Sequence, residues 1–518
     1  MTGHRYKASA MPPTTSTAPA VADTSPLPPP APHYAKLGAP YHQVVQPAPL
    51  PEPALVHLNP TLAEALGLDA LPAETLADVL SGNANWPGYA PIASVYAGHQ
   101  FGVFVRQLGD GRALMLTELA DKQSQRWELQ LKGAGRTPYS RGADGRAVLR
   151  SSIREYLCAE AMHGLGIPTT RSLSLVASPQ PVLREMAETA AVVCRAAPSF
   201  VRFGHFEFFY YRGEFDALFP LADHVIEAHF PHLLALPPTE RYAAWLREIV
   251  ARTARMAAQW QAVGFCHGVM NTDNFSILGL TIDYGPFGFL DAFQWDHICN
   301  HSDDTGRYAY SNQPKIAHWN CSRLLQATLP LLAEDQDQAV EMAQDIYRRF
   351  TPAFKEAAAR LWADKLGLKE VREDDHKLVE NLLALMHQSR CDFTNSFRQL
   401  ADVPADANAP LPPDSLRDQM LDIAAFDEWL ADYRARLQAE GNRDDQARAT
   451  AMNRANPLYV LRNHLAQRAI ELAQAGDMGE IDRLYRLLSR PFEAQPGMEA
   501  YAEPPPEGSI AVEVSCSS

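Results

Sequence analysis

The period of the apolar positions changes several times along the 518-residue chain. From Ala54, ALVHLNPTLAEALGLDAL reads as a short strand or turn followed by an amphipathic helix. Between 100 and 131 the pattern turns to short β-type runs, FGVFVRQL, RALMLTEL and RWELQL. Turn residues separate them, which predicts a small antiparallel sheet with Gly109-Asp110-Gly111-Arg112 joining the first two strands. A glycine-rich loop follows Leu131. Then AVLRSSIREYLCAEAMHGLG predicts a helix stopped by Gly164 and Gly166, with Pro168 beyond them. Strands resume near 172–176 and 190–195. The second half is mainly helical. TERYAAWLREIVARTARMAAQWQAVG predicts a long helix ending at Gly264, and β-like pieces follow near 275–282 and 287–290. Several helices lie beyond Asn312, with a polar, proline-rich break near 403–413. The pattern is that of an α+β chain, a small β-rich lobe followed by a larger helical one.

Composition sharpens the ends of this picture. Fourteen of the 40 prolines fall in the first 60 residues, and 1–33 reads as a disordered leader that buries too little apolar surface to offset its ordering entropy. The net charge of −15 disfavours nucleic acid or an anionic membrane as the main partner. No apolar run approaches the ~18 residues of a membrane span. Seven scattered cysteines, an odd number, argue against a secreted disulfide scaffold and for a cytoplasmic protein.

Against that acidic background, 132–154 carries Lys132, Arg136, Arg141, Arg146, Arg150 and Arg154 with one acid, Asp144. Glycines 133, 135, 142 and 145 let backbone approach a ligand closely. Guanidinium forks, backbone amides and a lysine suit a polyphosphate, although a solvated basic helix face accounts for Arg146, Arg150 and Arg154 as well. The Gly109–Arg112 turn, as a hairpin over a phosphate site, is a weak signal alone. A sharper one is His267-Gly268-Val269-Met270-Asn271-Thr272-Asp273-Asn274, then eight residues, then Asp283-Tyr284-Gly285. In protein kinases the corresponding positions supply a catalytic base, a metal-binding Asn and a metal-binding Asp. Here Asn274 and Asp283 are in place, Val269 fills the usual base position, and a carboxylate stands instead at Asp273. Lys132 at a strand end has Glu155 as its candidate helix partner, with Arg154 and Glu160 as alternatives. His297, Cys299 and His301 alternate, a weak zinc signal without a second cluster.

The blocks YAGHQFGVFVRQLGDGRA, LQLKGAGRTPYSRGADGRAVLRSSIREYL, VRFGHFEFF, HGVMNTDNFSILGLTIDYGPFGFLD and ICNHSD together resemble the selenoprotein O (YdiU-type) family of protein adenylyltransferases, from about Tyr34 to the C-terminus. The resemblance implies a protein-kinase-like bilobed fold, with an N-terminal region and nucleotide-binding lobe over 34–204, a helical lobe over 205–500 and a flexible redox tail over 501–518. It implies transfer of AMP from ATP, bound in inverted orientation, to Ser, Thr or Tyr of protein substrates, with Mg²⁺ (Mn²⁺ as substitute) as cofactor. Carried over by motif, Gly109, Gly111, Arg112, Lys132, Asp144, Gly145, Arg195, Arg202 and Asp283 match nucleotide contacts, and Glu155 matches the lysine's partner. Asp273 matches the proton acceptor, and Asn274 and Asp283 the metal ligands. Cys299 and Cys516 match the family's redox positions, so that a disulfide between them would tether the tail. UMP transfer at the same site and a non-catalytic pseudokinase scaffold are the competing functions.

Overall fold

The computed structural model describes residues 27–506, 508 and 514–515. Twelve strands are formed among them: β1 (His42–Val44), β2 (Ala54–Leu58), β3 (Ile92–Ser94), β4 (Gly98–Gln100), β5 (Val103–Val105) and β6 (Ala113–Ala120). Then come β7 (Arg126–Lys132), β8 (Ala147–Val148), β9 (Arg171–Leu183), β10 (Ala187–Ala197), β11 (Phe265–Cys266) and β12 (Gly288–Phe289). The main sheet is antiparallel, in the order β1-β3-β6-β7-β10-β9-β2, with β8 also paired to β10. Its central strand β10 carries the run AAVVCRAA, buried throughout, as expected of a strand covered on both faces.

The helices α1 (Pro60–Leu66), α2 (Ala73–Ser81) and α3 (Leu149–Gly164) accompany this sheet. Asn59 caps α1 by accepting from Leu62 N, and Pro60 takes the first helical position, where no amide is needed. α3 and α2 pack on β9 and β10. Next come α4 (Phe203–Tyr210), α5 (Leu218–His229) and α6 (Pro238–Ala262). α6 buries Trp245, Ile249, Thr253 and Trp260 along one stripe. It ends at Ala262, two residues before Gly264, whose φ of 68° and tight approach to the Phe393 ring exclude a side chain. The chain turns there into β11, which pairs with β12 and frames the loop holding Asp273.

The helices beyond Asn312 do not form a separate body. The helices Asn463–Gln474 and Gly479–Leu488 return to pack on α3, and Tyr485 donates to Asn59 Oδ1 at 2.9 Å. One hydrophobic core consequently runs from Tyr34 to Tyr501, with a second centred on residues 363–452.

Several expectations need correction. β5 pairs with β4, not with β6, so Gly109–Arg112 links two different sheets and is no hairpin turn. The buried carboxylate of Asp110 is the reason: it binds Ser94 N and Oγ at 2.9 and 2.6 Å and ties the turn to β3. The stretch 275–282 makes only isolated bridges, Arg202 with Ser276 and Thr169 with Thr281. Of the leader expected over 1–33, residues 1–26 lie outside the described residues, and from Leu27 onward the chain is held in place. Trp86 donates to Pro28 O at 3.0 Å, and Glu118 accepts from the amides of His33, Tyr34 and Ala35. In the tail, Tyr501 and Val514 are buried, and His301 N donates to Val514 O at 3.0 Å. No helix among the described residues is long and apolar enough to cross a membrane.

Candidate active site

Strands β7 and β10 lie side by side and deliver Lys132 and Arg195 to one place. Helix α3 supplies Glu155. The Lys132 ammonium lies 2.6 Å from Glu155 Oε2 and 3.1 Å from Asp283 Oδ1. Arg195 Nη1 lies 3.1 Å from Glu155 Oε1 and 2.8 Å from Asp283 Oδ1. Arg202, immediately before α4, reaches Asp283 Oδ2 at 2.5 Å and donates to the Asp273 carbonyl at 2.9 Å. The alternatives for the lysine's partner are engaged elsewhere: Arg154 donates to Phe287 O at 2.7 Å, and Glu160 binds Arg171 at 2.7 Å.

Three cations therefore converge on Asp283. Burial alone would raise its carboxyl, but Arg202, Lys132 and Arg195 outweigh that and hold it well below the ordinary carboxylate range. Asp283 also adopts a left-handed φ of 60°, a conformation costing roughly 1–2 kcal/mol that the surrounding ion pairs offset. With two carboxylates against three cations, the pocket carries an excess positive charge suited to phosphate oxygens.

The neighbouring carboxylate behaves in the opposite way. Asp273 is buried, and desolvation pushes it up to about 7 against the pull of Arg202. Its Oδ2 accepts from Gln100 Nε2 at 3.3 Å, while Oδ1 has no hydrogen-bond partner among the described residues. The loop bearing it is fixed at every side. His267 Nε2 meets Ile282 O at 2.9 Å, and Asn271 Oδ1 accepts from Tyr308 OH at 2.7 Å. Thr272 donates to Glu207 of α4, and the same carboxylate contacts His99 Nδ1 at 2.5 Å. Gly98 of β4 lies so close that a Cβ there would stand 2.6 Å from Asp273 Oδ1.

Asn274 donates its amide to Val269 O at 3.0 Å, which leaves its side-chain oxygen available. That oxygen and the Asp283 carboxylate are hard donors of the kind Mg²⁺ takes together with phosphate oxygens and water. Both Asp283 oxygens lie against Lys132, Arg195 and Arg202 here, so a divalent ion would share that carboxylate with them. No group of three or more His, Cys, Asp or Glu among the described residues is arranged to hold a metal, and His297, Cys299 and His301 make no such group.

Arg112 adjoins this cluster: it lines a small cavity of about 30 Å³ together with Lys132, Arg150, Glu155 and Val514. Other expected residues stand apart from it. Asp144 is tied to Arg184 on the β9–β10 turn at 2.8 Å and to Arg146 N at 2.9 Å, not to the Lys132 cluster. Gly109 and Gly111 make room for Tyr139, and Gly145 for the backbone of Gly135. Cys299 is buried, its thiol facing Cys266 O at 3.2 Å, with burial raising its pKa. Cys516 lies outside the described residues. Sequence reasoning missed Gln130, which accepts from Arg195, and also Gln100, His99 and Glu207. All four fall inside the quoted blocks, Gln130 in LQLKGAGR, His99 and Gln100 in YAGHQFG and Glu207 in VRFGHFEFF, which was the available signal.

A pocket that gathers three cations around one buried carboxylate, with a second, oppositely tuned carboxylate beside it, is suited to the phosphates of a nucleotide, and comparison with known proteins specifies the class of protein. The family model for protein adenylyltransferase SelO matches residues 30–489. The chain is 60% identical over 487 residues to a protein nucleotidyltransferase YdiU of Methylococcus capsulatus, covering 94% of this chain and 96% of that one. It is 54% identical over 500 residues to one of Burkholderia vietnamiensis, covering 94% and 95%. The chain belongs to the SelO family, and it is a nucleotidyltransferase.

Proposed function

We propose that this enzyme transfers AMP from ATP to Ser, Thr or Tyr hydroxyls of protein substrates. The frame would be a protein-kinase-like pair of lobes divided near residue 204, a reading supported by the sheet that precedes that point and the helices that follow it. The observation that carries the chemistry is the opposite tuning of two adjacent carboxylates. Asp283 is held ionised by three cations, whereas Asp273 is poised near neutrality. Asp273 takes the proton of the acceptor hydroxyl through Oδ1. The acceptor oxygen forms its bond to the α-phosphorus as the bond from that phosphorus to the bridging oxygen breaks, and pyrophosphate leaves with the electron pair. Lys132, Arg195 and Arg202 stabilise the charge that develops on it. Asn274 and Asp283 would hold Mg²⁺ or Mn²⁺, which supplies further neutralisation at the phosphates. Val269, where a kinase keeps its base, supports this reading over phosphoryl transfer. In the redox part of the proposal, a Cys299–Cys516 disulfide holds the tail against the pocket, and Val514 in the wall of the cavity beside Lys132, with its carbonyl on His301 N, supports it. Equal activity of Cys516→Ser and wild type, both oxidised and reduced, would remove that part.

The decisive experiment supplies ATP labelled separately at the α- and γ-phosphates. α-Label should appear on protein and disappear in Asp283→Ala. γ-Label on protein would mean kinase chemistry, nucleotide binding without transfer a scaffold, and α-label from UTP in preference to ATP uridylyl transfer.

A further inference from the structure

Among the carboxylates near Asp273, Glu207 takes no part in the charge balance around Asp283. It lies in α4 and is fully buried, and its one ionisable partner among the described residues is His99, not a Lys or Arg. Burying a carboxylate without such a cation is costly, and an apolar side chain would fill the same space without that cost. What an apolar side chain lacks is a pair of acceptor atoms at fixed separation, and here both are used. Oε2 accepts from Thr272 Oγ1, and Oε1 faces His99 Nδ1 at 2.5 Å. Thr272 Oγ1 in turn accepts from His99 N at 2.7 Å. Three residues from three segments thus close one ring of hydrogen bonds. Phe104, Tyr211 and Trp319 pack around the His99 ring, with centroids 5.1, 5.9 and 5.4 Å away.

Each member of the ring borders Asp273. Thr272 directly precedes it. His99 lies between Gly98, where a Cβ would stand 2.6 Å from Asp273 Oδ1, and Gln100, whose Nε2 donates to Oδ2 at 3.3 Å. Successive residues of a strand face opposite sides, so Gly98 and Gln100 face Asp273 while His99 faces Glu207. The helix that carries Glu207 starts just after Arg202, which donates to the Asp273 carbonyl at 2.9 Å. One rigid element therefore grips the loop on both sides of the carboxylate.

We propose that Glu207 is a positioning residue for the proton acceptor: it holds Thr272 with one oxygen and His99 with the other, and so fixes both segments that enclose Asp273. Its effect on turnover rests on Asp273 acting as the base in AMP transfer. The fixing of the two segments does not, and it is measured separately.

The test compares the full-length protein with Thr272→Val, Thr272→Ser, Glu207→Gln and Glu207→Met. Amide hydrogen exchange over 98–105 and 269–274 reads the fixing itself. Transfer of label from α-labelled ATP to dephosphorylated casein reads its consequence. Thr272→Val keeps the shape of the side chain and loses both hydrogen bonds of the hydroxyl. Exchange in the two segments should rise about tenfold with other segments unchanged, and kcat should fall about tenfold with the KM for ATP nearly unaltered. Thr272→Ser restores the hydroxyl and should bring both close to wild type. Glu207→Met should match Thr272→Val, and Glu207→Gln, which can still accept from Thr272, should fall between. Should Glu207→Met fail to fold, the two Thr272 variants carry the test. Wild-type exchange and kcat in Thr272→Val, losses in Thr272→Ser as large as in Thr272→Val, or an equal rise in exchange along the whole chain would overturn the proposal. Transfer of γ-label in place of α-label would remove the AMP reading and leave the exchange comparison to decide the role of Glu207.

Discussion

Asp273 and Asp283 are ten residues apart in sequence and sit against the same guanidinium, yet their environments drive them in opposite directions. Asp283 receives three cations in direct contact; Asp273 receives burial and one long amide bond. The consequence is a pH dependence with a definite sign. As the proposed base, Asp273 would work only ionised, so the transfer rate should rise about tenfold per pH unit below about 7 and level off above it. Its folded value lies well above that of an exposed aspartate, so its contribution to stability is present at low pH and is lost as pH climbs through about 7. Asp273→Asn removes that term. The variant should lose roughly 10²–10⁴-fold in transfer rate while melting at a higher temperature than wild type at pH 8, with the two converging near pH 4. A wild-type transfer rate flat between pH 5.5 and 8, with chemistry limiting, would exclude Asp273 as the base.

The β4–β5 hairpin is the element that sequence patterning described least well. FGVFVRQL has the composition of a strand and forms one, but composition does not say which strand it will pair with. That choice was made by Asp110, a buried carboxylate whose partners lie on β3 and which reads in sequence as an ordinary turn residue. Freed from the main sheet, the hairpin lies over the loop bearing Asp273, with His99 N donating to Thr272 Oγ1 at 2.7 Å and Phe101 N to Asn271 Oδ1 at 3.1 Å. Close packing against Asp273 demands glycine at 98. Gly98→Ala should therefore push the carboxylate out of position without touching Lys132, Arg195 or Arg202. The expected result is a kcat reduced more than tenfold with the KM for ATP and the melting temperature nearly unchanged. An unaltered kcat would show that the hairpin does not set the base.

At the scale of the molecule, the residues that gather around Asp283 were legible because they sit in short, dense motifs. What joins the parts was not. Glu118, Gln130 and Arg462 alternate with apolar neighbours or head a helix, and each reads locally as a surface residue; only tertiary contacts bury them. Arg462 shows the cost of such a residue. It is buried, 2.5 Å from Asp291 just after β12 and 2.7 Å from Asp392, whose side chain also caps the helix Phe393–Leu400. It donates as well to Ala502 O at 3.3 Å near the C-terminus. One guanidinium thus links the strand leaving the catalytic loop, a helix of the second core and the end of the chain. Arg462→Met preserves most of the volume but leaves two carboxylates facing each other without a cation. Removing one side of a buried pair costs more than the pair contributes, here about 3 kcal/mol. The variant should unfold at distinctly lower temperature and denaturant concentration. Adding Asp291→Asn and Asp392→Asn should recover much of the loss, because the penalty comes from the stranded charges. Molecules that remain folded should keep the wild-type KM for ATP, since Arg462 makes no contact with the Lys132 cluster. An Arg462→Met protein as stable as wild type would mean that the cores hold together by apolar contact alone.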